Sequence, residues 1–268
     1  MRGSEDDQQQ ANSRPTPAVC IEQPMNASAD PAPRPPFDPE QVPLVRAEAE
    51  LPAVHPSRLQ EHWLRSRFAQ PLNWEPEVFE DVSFSPRTPT REASVLVPLV
   101  ERRQGLHLLL TRRNAELQVH AGQISFPGGS RDPGDASPVH TALREAEEEI
   151  GLHADHVEPL GSMPIYTTVS GYAVTPVVAM IDPRAQLRPQ PSEVAEVFEV
   201  PLAFLMNPMH HELRAWDAQT GLPAPASMTR ITRRAFYAMP WIAADGQRYF
   251  IWGATAAMIR NLYRLLIA

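Results

Sequence analysis

Residues 144–152 read Arg-Glu-Ala-Glu-Glu-Glu-Ile-Gly-Leu. On a helix, Glu145, Glu148 and Glu149 fall at i, i+3 and i+4 and share one face. Carboxylates at that spacing repel one another by roughly a few tenths of a kcal/mol per exposed pair. A cation seated among them turns the repulsion into attraction. Hard divalent cations take oxygen ligands, and Mg²⁺ binds one or two carboxylates together with substrate phosphates. Without such a cation, crowding should raise the pKa of some of these acids. The plainer alternative is a solvated acidic helix face. Glu147 projects away from the cluster toward solvent.

The elements that must hold this face are legible on either side of it. Phe126-Pro127-Gly128-Gly129 forms a loop and leads into Ser-Arg-Asp-Pro-Gly-Asp over residues 130–135. Ser137 is placed to cap a helix, with Pro138 at its first position. Ala142, Leu143, Ala146 and Ile150 make an apolar stripe beside the acids, and Gly151 ends the helix. Arg144 then pairs with one of the ligand carboxylates or forms an ordinary helix salt bridge; the spacing allows both. The backbone of Gly128 and Gly129 should bring the loop close to the helix.

Loop, capped helix and Arg-Glu-x-x-Glu-Glu-x-Gly together resemble the signature of the Nudix hydrolases. Arg144, Glu145, Ala146, Glu148, Glu149, Gly151 and Leu152 fill its second half. In the first half the motif's Gly and Glu fall on Ser130 and Ala136, with Gly129 and Asp135 each one residue out of register. Residues 109–129 are similar to a further signature, that of the coenzyme A pyrophosphatase branch of the family. It has the pattern Leu-Leu-Thr-x-Arg-Ser-x-x-Leu-x-x-His-x-Gly-Gln-apolar-x-Phe-Pro-Gly-Gly, and here only Asn114 departs from it, at the Ser. In that branch the first half of the general motif is often degenerate.

The resemblance implies an α/β/α sandwich with a mixed sheet and a metal-dependent enzyme. Mg²⁺ or Mn²⁺ would be held by Glu145, Glu148 and Glu149. The implied reaction is hydrolysis of the diphosphate of coenzyme A or its thioesters. Other readings are cleavage of another nucleoside diphosphate derivative, such as ADP-ribose, and a non-catalytic ligand sensor on the same fold. Arg144, Glu148 and Glu193 form the candidate catalytic group. Glu193 takes the place of the later-loop carboxylate that many Nudix enzymes use as ligand or general base, with Glu196 as second choice; both also read as surface acids. Arg112, Arg113, His120, Gln123, Gly128 and Gly129 are the candidate substrate contacts. Arginine suits phosphate. His120 also reads as a plain hydrogen-bonding loop residue. Phe126, Tyr166 and Tyr172 could stack on a base or belong to the core.

Composition agrees with these expectations. The 24 basic and 32 acidic residues give a net charge of −8, which does not suit a nucleic-acid binder. Every fixed cationic side chain is arginine, since the chain has no lysine. The single Cys20 excludes an intramolecular disulfide and a cysteine-rich metal site. The start carries Glu5, Asp6 and Asp7 without an apolar leader run, and no apolar stretch reaches membrane-spanning length. A cytoplasmic enzyme with a small-molecule substrate, no nucleic-acid or membrane partner and a possible homodimer is expected.

Three regions are expected: a disordered proline-rich extension over 1–40, a linker with a short helix over 41–90, and a catalytic domain over 91–268. Strands are predicted over 95–97, 106–110, 161–165, 174–181 and 197–200. A late hairpin is predicted over 234–239 and 248–252, and an amphipathic helix over 254–267.

Overall fold

The computed structural model describes residues 38–70, 74–77, 91–116, 122–168, 170–217 and 233–268. The expected extension therefore lies almost wholly outside the described residues, as does His120. In chain order, β1 (Leu44–Ala47) and α1 (Glu61–Phe68) come first. β2 (Arg91–Arg102), β3 (Gly105–Arg113), β4 (Ile124–Ser125) and β5 (Gly128–Ser130) lead to α2 (Pro138–Ile150). β6 (Val157–Ser162), β7 (Tyr166–Thr167), β8 (Tyr172–Ile181) and β9 (Val194–Pro201) precede the short α3 (Leu202–Leu205). β10 (Glu212–Asp217), β11 (Arg233–Ile242), β12 (Arg248–Trp252) and α4 (Gly253–Ile267) complete the chain.

The main sheet runs β4-β3-β2-β8-β6, with β9 on β3, β5 on β2 and β7 on β8. β2 and β8 are parallel, Arg91 opposite Tyr172 through Val100 opposite Ile181. The remaining pairs are antiparallel, so the sheet is mixed. The central strands read as nearly continuous apolar runs because both of their faces are covered. Leu96, Val100, Leu109, Val177, Ala179 and Ile181 meet Ala142, Ala146 and Ile150 of α2. The alternate residues Val97, Leu99, Leu108, Leu110 and Val178 meet Ile259, Leu262 and Leu266 of α4 on the other side. The result is an α/β/α sandwich around a mixed sheet, as the sequence implies.

A second, antiparallel sheet, β1-β10-β11-β12, lies in the α4 layer. Its hairpin is legible in the sequence, whereas β1 and β10 are not. Residues 41–70 do more than link: they supply β1, α1 and the buried Val54, Leu59 and Leu64. Phe68 packs on Gly161, where an added Cβ would stand 2.9 Å from its ring. The strand predicted over 161–165 is observed as β6, ending at Ser162. A register break between Pro159 and Gly161 and the donor-less Pro164 account for the shift.

Candidate active site

α2 is built as its sequence dictates. Ser137 Oγ accepts the His140 N–H at 3.2 Å, and Gly151 adopts φ 66°, the left-handed turn that frees the chain from the helix. Its acidic face meets β5. Gly128 donates its N–H to Glu149 Oε2 at 3.1 Å. At Gly129 an added Cβ would lie 2.5 Å from Glu145 Oε2, so the backbone touches that carboxylate directly. The two glycines serve different ends. At Gly128, φ is 156° and a Cβ would meet the backbone of Val95 at 2.6 Å, a neighbour that cannot swing away.

Gly128→Ala is therefore expected to cost about 2 kcal/mol or more of folding stability, read from denaturant unfolding. Gly129→Ala, which pushes only a carboxylate, should leave the unfolding midpoint nearly in place and lower turnover about tenfold by displacing Glu145. A Gly129→Ala protein with normal turnover would remove the loop from the site.

The three glutamates are unequal. Glu149 is 5% exposed, Glu145 is 16% and Glu148 is 59%. Burial pushes the Glu149 carboxyl up to about 7, against the Gly128 N–H and the Arg113 charge, which pull it down. Burial also leads the rise at Glu145. The sequence reading expected crowding to raise these values; desolvation leads and like charge is secondary. Glu147 is exposed, as expected, and pairs with His153 at 2.9 Å.

Arg144 takes both roles the sequence allowed and a third. Nη2 donates to Glu145 Oε1 at 2.9 Å and Nη1 to Glu148 Oε2 at 3.0 Å. Its firmest hold is on Asp135: Nε to Oδ1 at 3.2 Å and Nη2 to Oδ2 at 3.1 Å. Asp135 Oδ2 also accepts the Asp132 N–H at 2.9 Å. The Arg144 guanidinium and that N–H hold the Asp135 carboxyl well below the usual carboxylate range. Asp135 is the site residue the sequence reading left out of its groups. Its signal was present as an acid one place out of register, and the turn closed by the Asp135 N–H on the Asp132 carbonyl absorbs the offset.

β3 splits its two arginines between the faces of the sheet. Arg113 follows Leu109 toward α2, and its Nη1 lies 3.6 Å from Glu149 Oε1, while its buried Nε has no hydrogen-bond partner among the described residues. Arg112 follows Leu110 to the α4 side, where its guanidinium lies over the Tyr249 ring, 4.9 Å from the centroid. The two arginines, grouped together in the sequence reading, are not brought together. Gln123 accepts the Arg113 backbone N–H through its carbonyl at 2.9 Å. Phe126 is core, at 2% exposure, and the face of Tyr172 carries the Arg91 guanidinium at 5.1 Å.

The loop before β9 is fastened to the end of α2. Arg188 N–H bonds the Ile150 carbonyl at 2.7 Å, and Gln190 N–H bonds that of Glu149 at 2.8 Å. Gln190 then turns the chain through Glu193, whose carbonyl takes the Asn114 N–H at 2.8 Å. Glu193 is exposed and near enough for its charge to push Glu149 upward. Glu196 is occupied elsewhere: its Oε1 accepts the Tyr249 hydroxyl at 2.6 Å.

The donor set suits a hard divalent cation. It is all carboxylate oxygen, and Glu149 is buried with too little positive charge around it to ionise at its ordinary pKa. Among the described residues no three acidic, histidine or cysteine side chains close a metal cage by themselves. Among the described residues no helix is long and apolar enough to cross a membrane.

Comparison with known proteins bears on the same tract. The NUDIX domain model matches residues 90–220. A protein of Pectobacterium atrosepticum named "Uncharacterized Nudix hydrolase NudL" is 40% identical over 182 residues, 67% of this chain and 85% of that one. Its namesake in Escherichia coli K12 is 42% identical over 173 residues, 64% of this chain and 81% of that one. A solved Nudix hydrolase, RenU from M. smegmatis, aligns with a TM-score of 0.38 at 23% identity, over 47% of this chain and 78% of that one. About two-fifths identical, over the aligned residues, to relatives whose length it largely covers, the chain belongs to the Nudix hydrolase family, pyrophosphohydrolases of nucleoside diphosphate derivatives.

Proposed function

We propose that the protein hydrolyses the diphosphate of coenzyme A or its thioesters, giving 3′,5′-ADP and 4′-phosphopantetheine or its acylated form. One observation carries the reading. Arg113 and Gly128, from opposite ends of the tract whose sequence resembles the coenzyme A pyrophosphatase branch, both meet Glu149 of the acidic centre. In this reading Glu145 and Glu149, with Glu148 beside them, hold Mg²⁺ or Mn²⁺. A cation held there would supply charge neutralisation for the diphosphate and activation of the attacking water.

The chain's own groups do the rest. Arg113, beside Glu149 and with 28% of its side chain in solvent, binds a diphosphate oxygen through its guanidinium. Arg144 keeps Glu145 and Glu148 in place from its seat on Asp135. A Glu193 carboxylate oxygen accepts the proton of the attacking water as the P–O bond to the leaving phosphate breaks.

Product analysis with coenzyme A, acyl-coenzyme A and ADP-ribose tests the reading. Coenzyme A or a thioester should win by about tenfold or more in kcat/KM, because a site that hydrogen-bonds one substrate's distinctive groups rejects a substrate lacking them. Best cleavage of ADP-ribose would overturn the substrate. Binding of all three without products would favour a ligand sensor.

A further inference from the structure

Arg112 is held in place yet makes no hydrogen bond through its guanidinium among the described residues. Its contacts are the Tyr249 ring at 4.9 Å and Glu196 Oε2, 3.5 Å from Nη2. The partly exposed Arg102 instead forks onto Glu199 at 2.6 and 3.0 Å. Glu196 stands off because the Tyr249 hydroxyl holds its other oxygen at 2.6 Å. Burial, with Glu196 next, pushes that hydroxyl up to about 12, so it remains a donor. Tyr249 itself is fixed from behind by Phe198 at 3.9 Å and beside by Trp241 at 5.2 Å. Arg112 thus sits over a packed ring, ion-paired at Nη2 but with no guanidinium hydrogen bond among the described residues, and with 28% of its side chain in solvent. A planar fork set in this way matches phosphate.

We infer that Arg112, seated on Tyr249, is a subsite for a phosphomonoester that the substrate carries outside its cleaved diphosphate. The inference rests on the coenzyme A reading, in which that group is the 3′-phosphate. It separates the two arginines of β3. Arg113, on the α2 face, serves the diphosphate; Arg112, on the α4 face, reads the far end of the nucleotide. Glu196 and Tyr249 are positioning residues for Arg112.

The test is the ratio of kcat/KM for coenzyme A to that for dephospho-coenzyme A, in the native protein and in Arg112→Gln, Arg112→Lys and Arg113→Gln. The native ratio should be at least about ten, the worth of a charge-assisted hydrogen-bonded pair. Arg112→Gln should bring it close to one, mostly by loss on coenzyme A. Arg112→Lys keeps the charge and the stem, and so the fold, but not the fork; its ratio should fall to an intermediate value. Arg113→Gln should lower both substrates together and keep the ratio.

A ratio that survives either Arg112 substitution overturns the inference. So does a native ratio near one with both substrates well cleaved, and that outcome leaves the coenzyme A reading standing. Failure of the native protein to cleave either substrate overturns the coenzyme A reading, and this inference with it.

Discussion

Glu149→Gln should lower turnover by at least about two orders of magnitude at saturating Mg²⁺, because charge stabilisation by a bound cation is worth several kcal/mol in the transition state. The same substitution should make the metal-free protein more stable. The folded carboxyl titrates at about 7, above its ordinary range, because burial penalises the anion. In the unfolded chain it ionises near 4.5, so stability is fully present below that pH and is lost as pH rises through about 7. Glutamine escapes this loss and can still accept the Gly128 N–H. Above pH 7 the gain should be up to about 3 kcal/mol, shrinking to nothing below about pH 4.5. Thermal melts with chelator across that range, repeated with Mn²⁺, make the check. Mn²⁺ should raise the native melting temperature far more than that of Glu149→Gln. Normal turnover in the variant, or equal Mn²⁺ shifts, would take Glu149 out of the metal site.

The second large effect is expected at a residue that touches neither metal nor substrate in the proposed mechanism. Asp135→Asn removes the charge on which Arg144 is seated. Arg144 then keeps Glu145, Glu148, the Ser130 carbonyl at 3.0 Å from Nη2 and the more distant Asp132 carboxylate at 4.0 Å from Nη1, and is drawn toward the acids. Partners of that second kind typically cost about 10- to 100-fold in metal affinity or activity when lost. The half-saturating Mg²⁺ concentration should rise together with a fall in kcat. A variant matching the native protein in both would show that Arg144 is held well enough by the helix alone.

The parts of the fold encoded locally were legible in the sequence. Ser137, Pro138 and Gly151 mark the ends of α2 to the residue, and its apolar stripe fixes which face is left for the acids. The central strands were found from their apolar runs. What escaped depends on distant partners. β1 and β10 are four and six residues long and stable only against each other and β11, so neither carries a pattern of its own. Arg260, on the apolar C-terminal helix, is 3% exposed and is lodged between Tyr237 and Tyr263, with its Nε on Glu77 at 2.8 Å. No periodicity announces such a buried charge, whose partner lies 183 residues away.

In the site, strand alternation alone separates Arg112 from Arg113, although motif reading treats them as neighbours of one kind. Glu193 and Glu196 divide for a similar reason. Glu193 belongs to a turn tied to α2, and Glu196 to a strand face that Tyr249 already occupies.

The two amides that fasten residues 188 and 190 to the last carbonyls of α2 have a kinetic consequence. In the proposed reaction the ligand carboxylates and the proton acceptor come from segments more than 40 residues apart. The turn hangs from the carbonyl of Glu149 itself, which ties its position to that of the helix end. Their mutual arrival is a cost met when the chain folds, not at each turnover. In effective-concentration terms the acceptor is always at hand, an advantage that in well-oriented systems reaches about 10⁵ M and more. Only the substrate has its freedom still to lose.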